Sequence, residues 1–235
     1  MDDIQKKLDE LVKQSDLLIS NPETIERLKA KGLPIKSVIT TYKEYLDKLF
    51  SERRKTADDL INKLPHLNPD IANATIQAIY EELKECFVLG IPGAGITLSV
   101  ILLELALKYR LYEERHKLDP NSKWEYIEQI DCTQTISELT KKKVITKTEK
   151  NQLDNFNSNI RNSYIHYNIK KLVKNMILGE LSSINIETGE VKVLKNVKPE
   201  DYPSLWFSAK RTLDKKTIIP NVAFCIIWVN RLLKK

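Results

Sequence analysis

The segment from Ile96 to Leu107 is apolar on nearly every side of a helical projection, and this feature constrains the fold most. A surface helix carries one apolar stripe, whereas a helix that is apolar all round must be covered by other elements. We therefore expect a helix over about residues 94–114 in the middle of a helical bundle. Glu104 interrupts this surface. Because a buried carboxylate is costly to leave unpaired, Glu104 should have a cationic partner.

Capping signals and apolar spacing predict the helices around it. Asn68-Pro69 fits a helix start. Apolar residues then recur at three- and four-residue intervals until the turn at Gly90-Ile91-Pro92-Gly93, at Ala72, Ile76, Ile79, Leu83 and Phe87. A final helix over about residues 220–234 should complete the bundle with Val222, Cys225, Ile226, Val229 and Leu232.

Two further helices are predicted from Thr-x-x-Glu capping boxes, at Thr135 with Glu138 and at Thr146 with Glu149. The second box should open a long helix that continues to about Ile177. Its core stripe is expected to consist of Leu153, Phe156, Ile160, Tyr164 and Tyr167.

The rest of the chain adds two features to this bundle. Residues 2–19 have the apolar spacing of an amphipathic helix, and a longer helix is expected over about residues 35–64. Alternating apolar residues on both sides of Glu187–Glu190 predict a β-hairpin near 182–195. The sequence thus predicts an all-α protein with an N-terminal helical extension (1–66) and a bundle (67–235) that carries the hairpin before its last helix.

Composition narrows the class of function. The formal net charge of +6 permits a polyanionic partner without requiring one. Three widely spaced cysteines without a C-x-x-C pair indicate reduced thiols, and three scattered histidines predict no metal site. The charged N-terminus is unlike a signal peptide, and the run Ile91–Leu103 is too short to span a bilayer. We expect a cytoplasmic protein with no cofactor and no membrane partner.

The segment 161–168, Arg-Asn-Ser-Tyr-Ile-His-Tyr-Asn, carries the chemistry. Arginine holds a phosphate in a planar fork, and histidine transfers protons near neutral pH. Together these two groups can cleave a phosphodiester without a metal. Glu104 has two candidate partners, Arg161 from this segment and Lys108 four residues along its own helix. Lys170, Lys171 and Lys174 follow the segment, where a nucleic-acid backbone would need positive charge.

On a regular helix Arg161 and His166 lie about 140° apart, whereas Asn162 and His166 share one face. His166 should therefore face a polar groove in which Asn162 orients its imidazole. Arg161 must reach this groove from the flank or from a second subunit.

Arg161, Asn162 and His166 resemble the Arg-polar-x-x-x-His signature of HEPN-domain proteins, and the helix order over residues 69–178 is similar to theirs. The resemblance implies a HEPN-like up-and-down bundle and a metal-independent ribonuclease of a toxin–antitoxin or antiphage-defence system. It also implies a homodimer that pairs two such motifs, and an antitoxin or regulatory protein as partner. Glu104 and Tyr167 are expected to support the site, and Lys170, Lys171 and Lys174 to bind RNA.

The mechanism implied by the resemblance begins with attack of a ribose 2′-hydroxyl on the adjacent phosphorus. His166, or its copy in the second subunit, transfers the proton, and Arg161 stabilises the charge on the phosphate. The alternative is a non-catalytic HEPN-type interaction or RNA-binding module, partner to a nucleotidyltransferase. In some HEPN toxins such a partner modifies a tyrosine two residues after the histidine, but that position is Asn168 here.

Overall fold

The structure, a computed structural model, describes residue 30, residues 42–179, 181–184 and 191–234. The chain divides into two units between Ser51 and Glu52, and the site discussed below lies entirely in the second unit. The helix predicted over residues 2–19 lies outside the described residues. In the described part of the predicted 35–64 helix, the chain forms α1 (Tyr42–Arg54) and α2 (Ala57–Ile61), separated by a turn.

The helical hairpin of α3 (Ala74–Leu89) and α4 (Pro92–His116) contains the predicted turn. Gly90 ends α3 in the left-handed conformation (φ 70°), which glycine adopts without a steric penalty, and Pro92 occupies the first turn of α4. The predicted start at Asn68 is wrong. Asn73 caps α3 by accepting from the Ile76 N–H, whereas the Asn68 side chain accepts from the Asp70 N–H in a turn before the helix.

Helix α4 occupies the centre of the bundle, as its all-round apolarity predicts. It packs against α3, against α6 (Cys132–Lys141), and along the last helix, α10 (Trp206–Leu233). Its buried residues cover more than one face and include Ile96, Val100, Leu102, Leu103, Ala106, Leu107 and Leu111. The short helix α5 (Trp124–Glu128) also packs against α4.

The two predicted capping boxes have different outcomes. Thr146 and Glu149 form the complete box at the start of α7 (Lys147–Phe156). Thr135 instead lies inside α6, whose N-cap is Asp131 with its carboxylate accepting from the Gln134 N–H. Threonine and aspartate are both favourable at an N-cap, and at this helix the N-cap is Asp131, four residues before Thr135.

The last helix starts much earlier than predicted. A helix over about residues 220–234 was expected, but α10 begins at Trp206 and runs through the exposed Pro220. The predicted apolar residues from Val222 to Leu232 are buried. By length and composition residues 203–233 form one helical segment that could cross a membrane, although 44% of its most apolar window is buried within the protein. Core helices of soluble proteins pass the same test, so this evidence is weak.

The predicted hairpin is present as an addition to the helices. Strand β1 (Leu181–Ile184) pairs in antiparallel fashion with β2 (Val191–Leu194), and an isolated bridge joins Leu178 to Val197. Two 3₁₀ turns, Pro199–Asp201 and Pro203–Leu205, then lead into α10. Apart from this hairpin, the described chain consists of helices joined by turns and loops. The predicted all-α class is confirmed.

Candidate functional site

The segment that carries the Arg161–His166 motif is not a regular helix. Helix α7 passes into a π-helical turn (Asn157–Arg161) and then into one last α-helical turn, α8 (Asn162–Ile165). A π-turn adds a residue to the helical repeat and changes the direction of every side chain after it. The angle of about 140° expected for Arg161 and His166 on an ideal helix therefore does not apply.

The helix also ends inside the motif, so the prediction that it continues to Ile177 is wrong. The Asn168 N–H donates to the Ser163 carbonyl (2.8 Å) and the Tyr167 N–H to the Tyr164 carbonyl (3.3 Å). This is the Schellman pattern, with His166 at the C-cap and Tyr167 in the left-handed position (φ 50°). Glycine or asparagine usually occupies that position, so nothing in the sequence marked the end.

After this end the chain re-enters a helix at once. Asn168 caps the short helix α9 (Ile169–Val173) by accepting from the Lys171 N–H. Tyr167, predicted to lie in the core, is exposed as a consequence of the turn. Leu153, Phe156 and Tyr164 of the predicted stripe are buried.

Arg161 is fixed from two sides. Its Nε and Nη2 donate to the Glu104 carboxylate (3.2 and 2.9 Å), and its Nη1 donates to the Asn162 side-chain oxygen (2.9 Å). Both members of the Glu104–Arg161 ion pair are mostly buried. A guanidinium has five N–H donors, so two remain without a partner in the described part of the chain.

Both predicted partners of Glu104 are present. Lys108 lies 3.5 Å from the second carboxylate oxygen and donates to the Glu128 carbonyl. The carboxylate thus accepts two charge-assisted hydrogen bonds from Arg161 and is also close to an ammonium group. Glu104 holds the guanidinium in place through this ion pair.

His166 is exposed, and its side chain has no hydrogen bond or ion pair within the described residues. The expected contact between Asn162 and the imidazole is not made there, because the Asn162 oxygen accepts from Arg161 instead. Asn162 therefore orients the arginine rather than the histidine. The imidazole is accessible to a substrate or to a second protein chain.

Lys170, Lys171 and Lys174 are exposed on and just after α9. The Lys171 ammonium donates to the Ser158 carbonyl, which ties α9 to the π-turn. Lys170 and Lys174 have no ion-pair partner within the described residues. The chain thus places two uncompensated positive charges within eight residues of His166.

A buried polar cluster behind the motif was not predicted. The Tyr164 hydroxyl donates to Asp214 Oδ1 (2.6 Å), and the Lys210 ammonium donates to Asp214 Oδ2 (2.5 Å) while lying 4.8 Å from the Tyr164 ring centre. Burial, followed by the Asp214 hydrogen bond, raises the pKa of Tyr164, so its hydroxyl stays protonated and acts as a donor. The spacing of Lys210 and Asp214 (i, i+4 on an apolar helix) was the available signal.

The Cys132 thiol lies near Glu104 and Arg161 but is not a competing nucleophile. Burial, and then the neighbouring Glu104 carboxylate, raise the pKa of the Cys132 thiol to about 12. Cys132 is therefore protonated near neutral pH and unreactive. The described residues include no group of three or more histidine, cysteine or acidic side chains able to hold a metal ion.

No protein-family model, curated protein or solved structure matches this chain.

Proposed function

We propose that this chain is a metal-independent endoribonuclease of the HEPN type, acting in a toxin–antitoxin or antiphage-defence system. One observation carries the proposal. Within the described residues, a guanidinium held by Glu104 and Asn162 keeps two N–H donors without a partner, and an exposed, unpartnered imidazole lies five residues further on. A fixed cation and an accessible proton-transfer group are what 2′-hydroxyl attack on a phosphodiester needs.

In the proposed reaction the ribose 2′-oxygen bonds to the adjacent phosphorus and loses its proton to a base. The bond from phosphorus to the 5′-oxygen breaks, and that oxygen takes up a proton from an acid. His166 serves one of these roles and its copy in a second subunit serves the other. Arg161 donates its two remaining N–H groups to the non-bridging oxygens, where negative charge accumulates. The products are a 2′,3′-cyclic phosphate and a 5′-hydroxyl.

The proposal predicts cleavage of RNA in the presence of EDTA. Purified protein should cut a labelled RNA oligonucleotide, and its 5′ products should end in a cyclic phosphate. DNA and an RNA that is 2′-O-methylated at the cut position should stay intact, because both lack the nucleophile. A requirement for added magnesium would contradict the mechanism, because no step of it uses a metal.

We also propose that the site is completed by a homodimer that pairs the two 161–168 segments across a polar, positively charged cleft. An open groove of about 370 Å³ adjoins the ion pair and is lined by Ile101, Trp124 and Ile165 beside Glu104 and Lys108. Ile101 and Ile165 are both partly exposed there. Apolar side chains exposed beside a functional motif favour a protein interface.

The dimer should have about twice the 27.2 kDa mass of the chain in light scattering coupled to gel filtration. Ile101→Glu introduces a charge into the apolar groove and should yield a monomer that no longer cleaves RNA. Ile219→Glu is the matched control, because Ile219 is an equally exposed isoleucine on another helix and does not line this groove. A wild-type monomer that cleaves RNA would refute the paired site.

The second candidate, a non-catalytic interaction module, is favoured by the same groove. In that case the Glu104–Arg161 pair serves only to hold α8 against α4. Wild-type protein would then bind a partner chain through the groove and leave RNA intact under all conditions. The EDTA experiment therefore decides between the two functions.

A further inference from the structure

A second cavity, also of about 370 Å³, lies beside the motif and does not include Arg161 or His166. One wall is the turn between α3 and α4 (residues 90–94). The other walls are the end of α8, with Tyr164 and Tyr167, and the first turns of α10, with Phe207 and Arg211. The lining is largely apolar and aromatic, which is the usual character of a small-ligand site.

The floor of this cavity is electrostatically satisfied. Asp214 accepts from Tyr164 and Lys210. The two charged members of this cluster, Asp214 and Lys210, are only 4% and 7% exposed. Gly93, in the first turn of α4, lies so close that a Cβ there would be 2.7 Å from the Asp214 carboxylate. The partial positive charge of that helix end is thus already met by Asp214. The floor does not itself require a charged ligand.

The rim, in contrast, carries exposed aromatic rings and an arginine. Tyr167 and Phe207 are 61% and 68% exposed although both are large aromatic residues. Arg211 is exposed and has no ion pair within the described part of the chain. Tyr167 is held in the left-handed conformation by the Schellman turn, and its ring centre lies 5.9 Å from the Lys210 ammonium. The backbone hydrogen bonds of this turn therefore fix the direction in which the Tyr167 side chain leaves the main chain.

Exposed aromatic rings beside a free arginine are the elements with which proteins bind single-stranded nucleic acid. The rings stack on bases, and the cation contacts the phosphate backbone. Tyr167 directly follows His166, so their Cα atoms are about 3.8 Å apart. The short chain distance keeps a base stacked on Tyr167 within a few nucleotides of the phosphate on which His166 acts.

We propose that this cavity is the base-binding subsite for a nucleotide flanking the cleaved bond, with Tyr167 and Phe207 stacking on the base and Arg211 contacting a phosphate. The proposal deepens the proposed function and rests on it for the identity of the ligand as RNA. It assigns to the cavity the positioning of the substrate, separate from the proton transfer at His166.

The test uses a fluorescein-labelled 2′-O-methyl oligonucleotide of eight residues, which cannot be cleaved, and measures binding to the full chain by fluorescence anisotropy. Phe207→Ala should weaken binding about 5- to 150-fold, the range found for loss of one stacked base. Arg211→Gln should weaken it and lower the slope of log K against log salt by about 0.7, the value for one phosphate contact on a single strand. Because both side chains are exposed, circular dichroism melts should match wild type.

Two control variants lie on the same helix and outside the cavity. Ile227→Ala removes an exposed apolar side chain, and Lys216→Gln removes an exposed cation. Phe207→Trp should retain binding, because it keeps an aromatic face. Equal losses in the controls, or wild-type affinity in both Phe207→Ala and Arg211→Gln, would overturn the subsite.

The outcomes also separate this inference from the proposed function. Cleavage in EDTA together with unchanged binding by both Phe207→Ala and Arg211→Gln refutes the subsite alone. Phe207-dependent binding without any cleavage supports nucleotide binding in the cavity and refutes both the nuclease and the placement of the cavity beside a cleaved bond. Absence of binding by the wild-type chain refutes the subsite whether or not RNA is cleaved.

Discussion

His166→Ala should lower the rate of RNA cleavage by about 10²–10⁴-fold, the contribution of general acid–base catalysis. The imidazole is exposed and has no protein partner within the described residues, so its removal should leave the fold intact. The measurement is the single-turnover rate on a labelled RNA oligonucleotide in EDTA, with melting temperature as the control for folding. His116→Ala is the matched variant, because His116 is also exposed and also ends a helix. It should cleave at the wild-type rate.

Arg161→Ala should abolish cleavage as well, but it is the less clean variant. It also removes the main partner of the mostly buried Glu104 carboxylate, which then keeps only Lys108. Arg161→Lys retains the charge opposite Glu104 and loses the planar fork. If Arg161 acts on phosphate, Arg161→Lys should fold normally and still be strongly impaired. Wild-type cleavage by Arg161→Lys would reduce Arg161 to a salt bridge between helices.

Asn162→Ala should lose less activity than either variant. Its side-chain oxygen orients Arg161 through one hydrogen bond, and Glu104 still holds the guanidinium through two others. Growth arrest on expression should be lost in His166→Ala and Arg161→Ala and only weakened in Asn162→Ala. Arrest that survives His166→Ala would count against the nuclease, and the interaction module would then be the better description.

Several features of this fold follow from local sequence alone. The capping box at Thr146 and Glu149 involves groups three residues apart, and it forms although Glu149 also accepts from Arg231, 82 residues away. The central position of α4 follows from its all-round apolar surface. The Glu104–Arg161 pair follows from the cost of burying a carboxylate without a cationic partner. The sequence offered two such partners, Arg161 and Lys108.

Other features depend on distant contacts and had no local signal. Asn68 lies in a turn, where its N–H donates to Asn230, 162 residues away, and α3 begins only after Asn73. The end of α8 is formed with a tyrosine where glycine is usual, so the sequence indicated a continuous helix. The direction of Arg161 depends on the π-turn before it. These are the features that determine the geometry of the site, which is why sequence identified its residues but not their arrangement.

Asp214→Asn should destabilise the protein by about 3–5 kcal/mol, the usual cost of removing one partner from a buried ion pair. The substitution keeps the size of the side chain and removes its charge. The Lys210 ammonium then remains buried without a counter-charge, and Tyr164 loses an ionised acceptor. For a unit of this size the loss corresponds to a fall in melting temperature of about 6–20 °C. Chemical denaturation gives the free energy directly.

The chain contains its own control for this experiment. Lys150 and Asp154 form an ion pair with the same i, i+4 spacing on α7, but their side chains are 31% and 33% exposed. Asp154→Asn should therefore cost less than about 1 kcal/mol. Equal losses from the two substitutions would show that burial of the Asp214 pair has no special energetic role.

A triple variant separates the loss of a partner from the loss of the pair. Replacing Lys210, Asp214 and Tyr164 together by Met, Leu and Phe leaves neither a charge nor a hydroxyl of this cluster in the protein interior. Such replacements are often neutral or stabilising, so the triple variant should recover most of the stability lost in Asp214→Asn. Cleavage need not recover with it, since the Asp214–Tyr164 hydrogen bond joins α8, which positions His166, to α10. A stable triple variant with reduced cleavage would indicate that the buried cluster is retained to hold the motif in place.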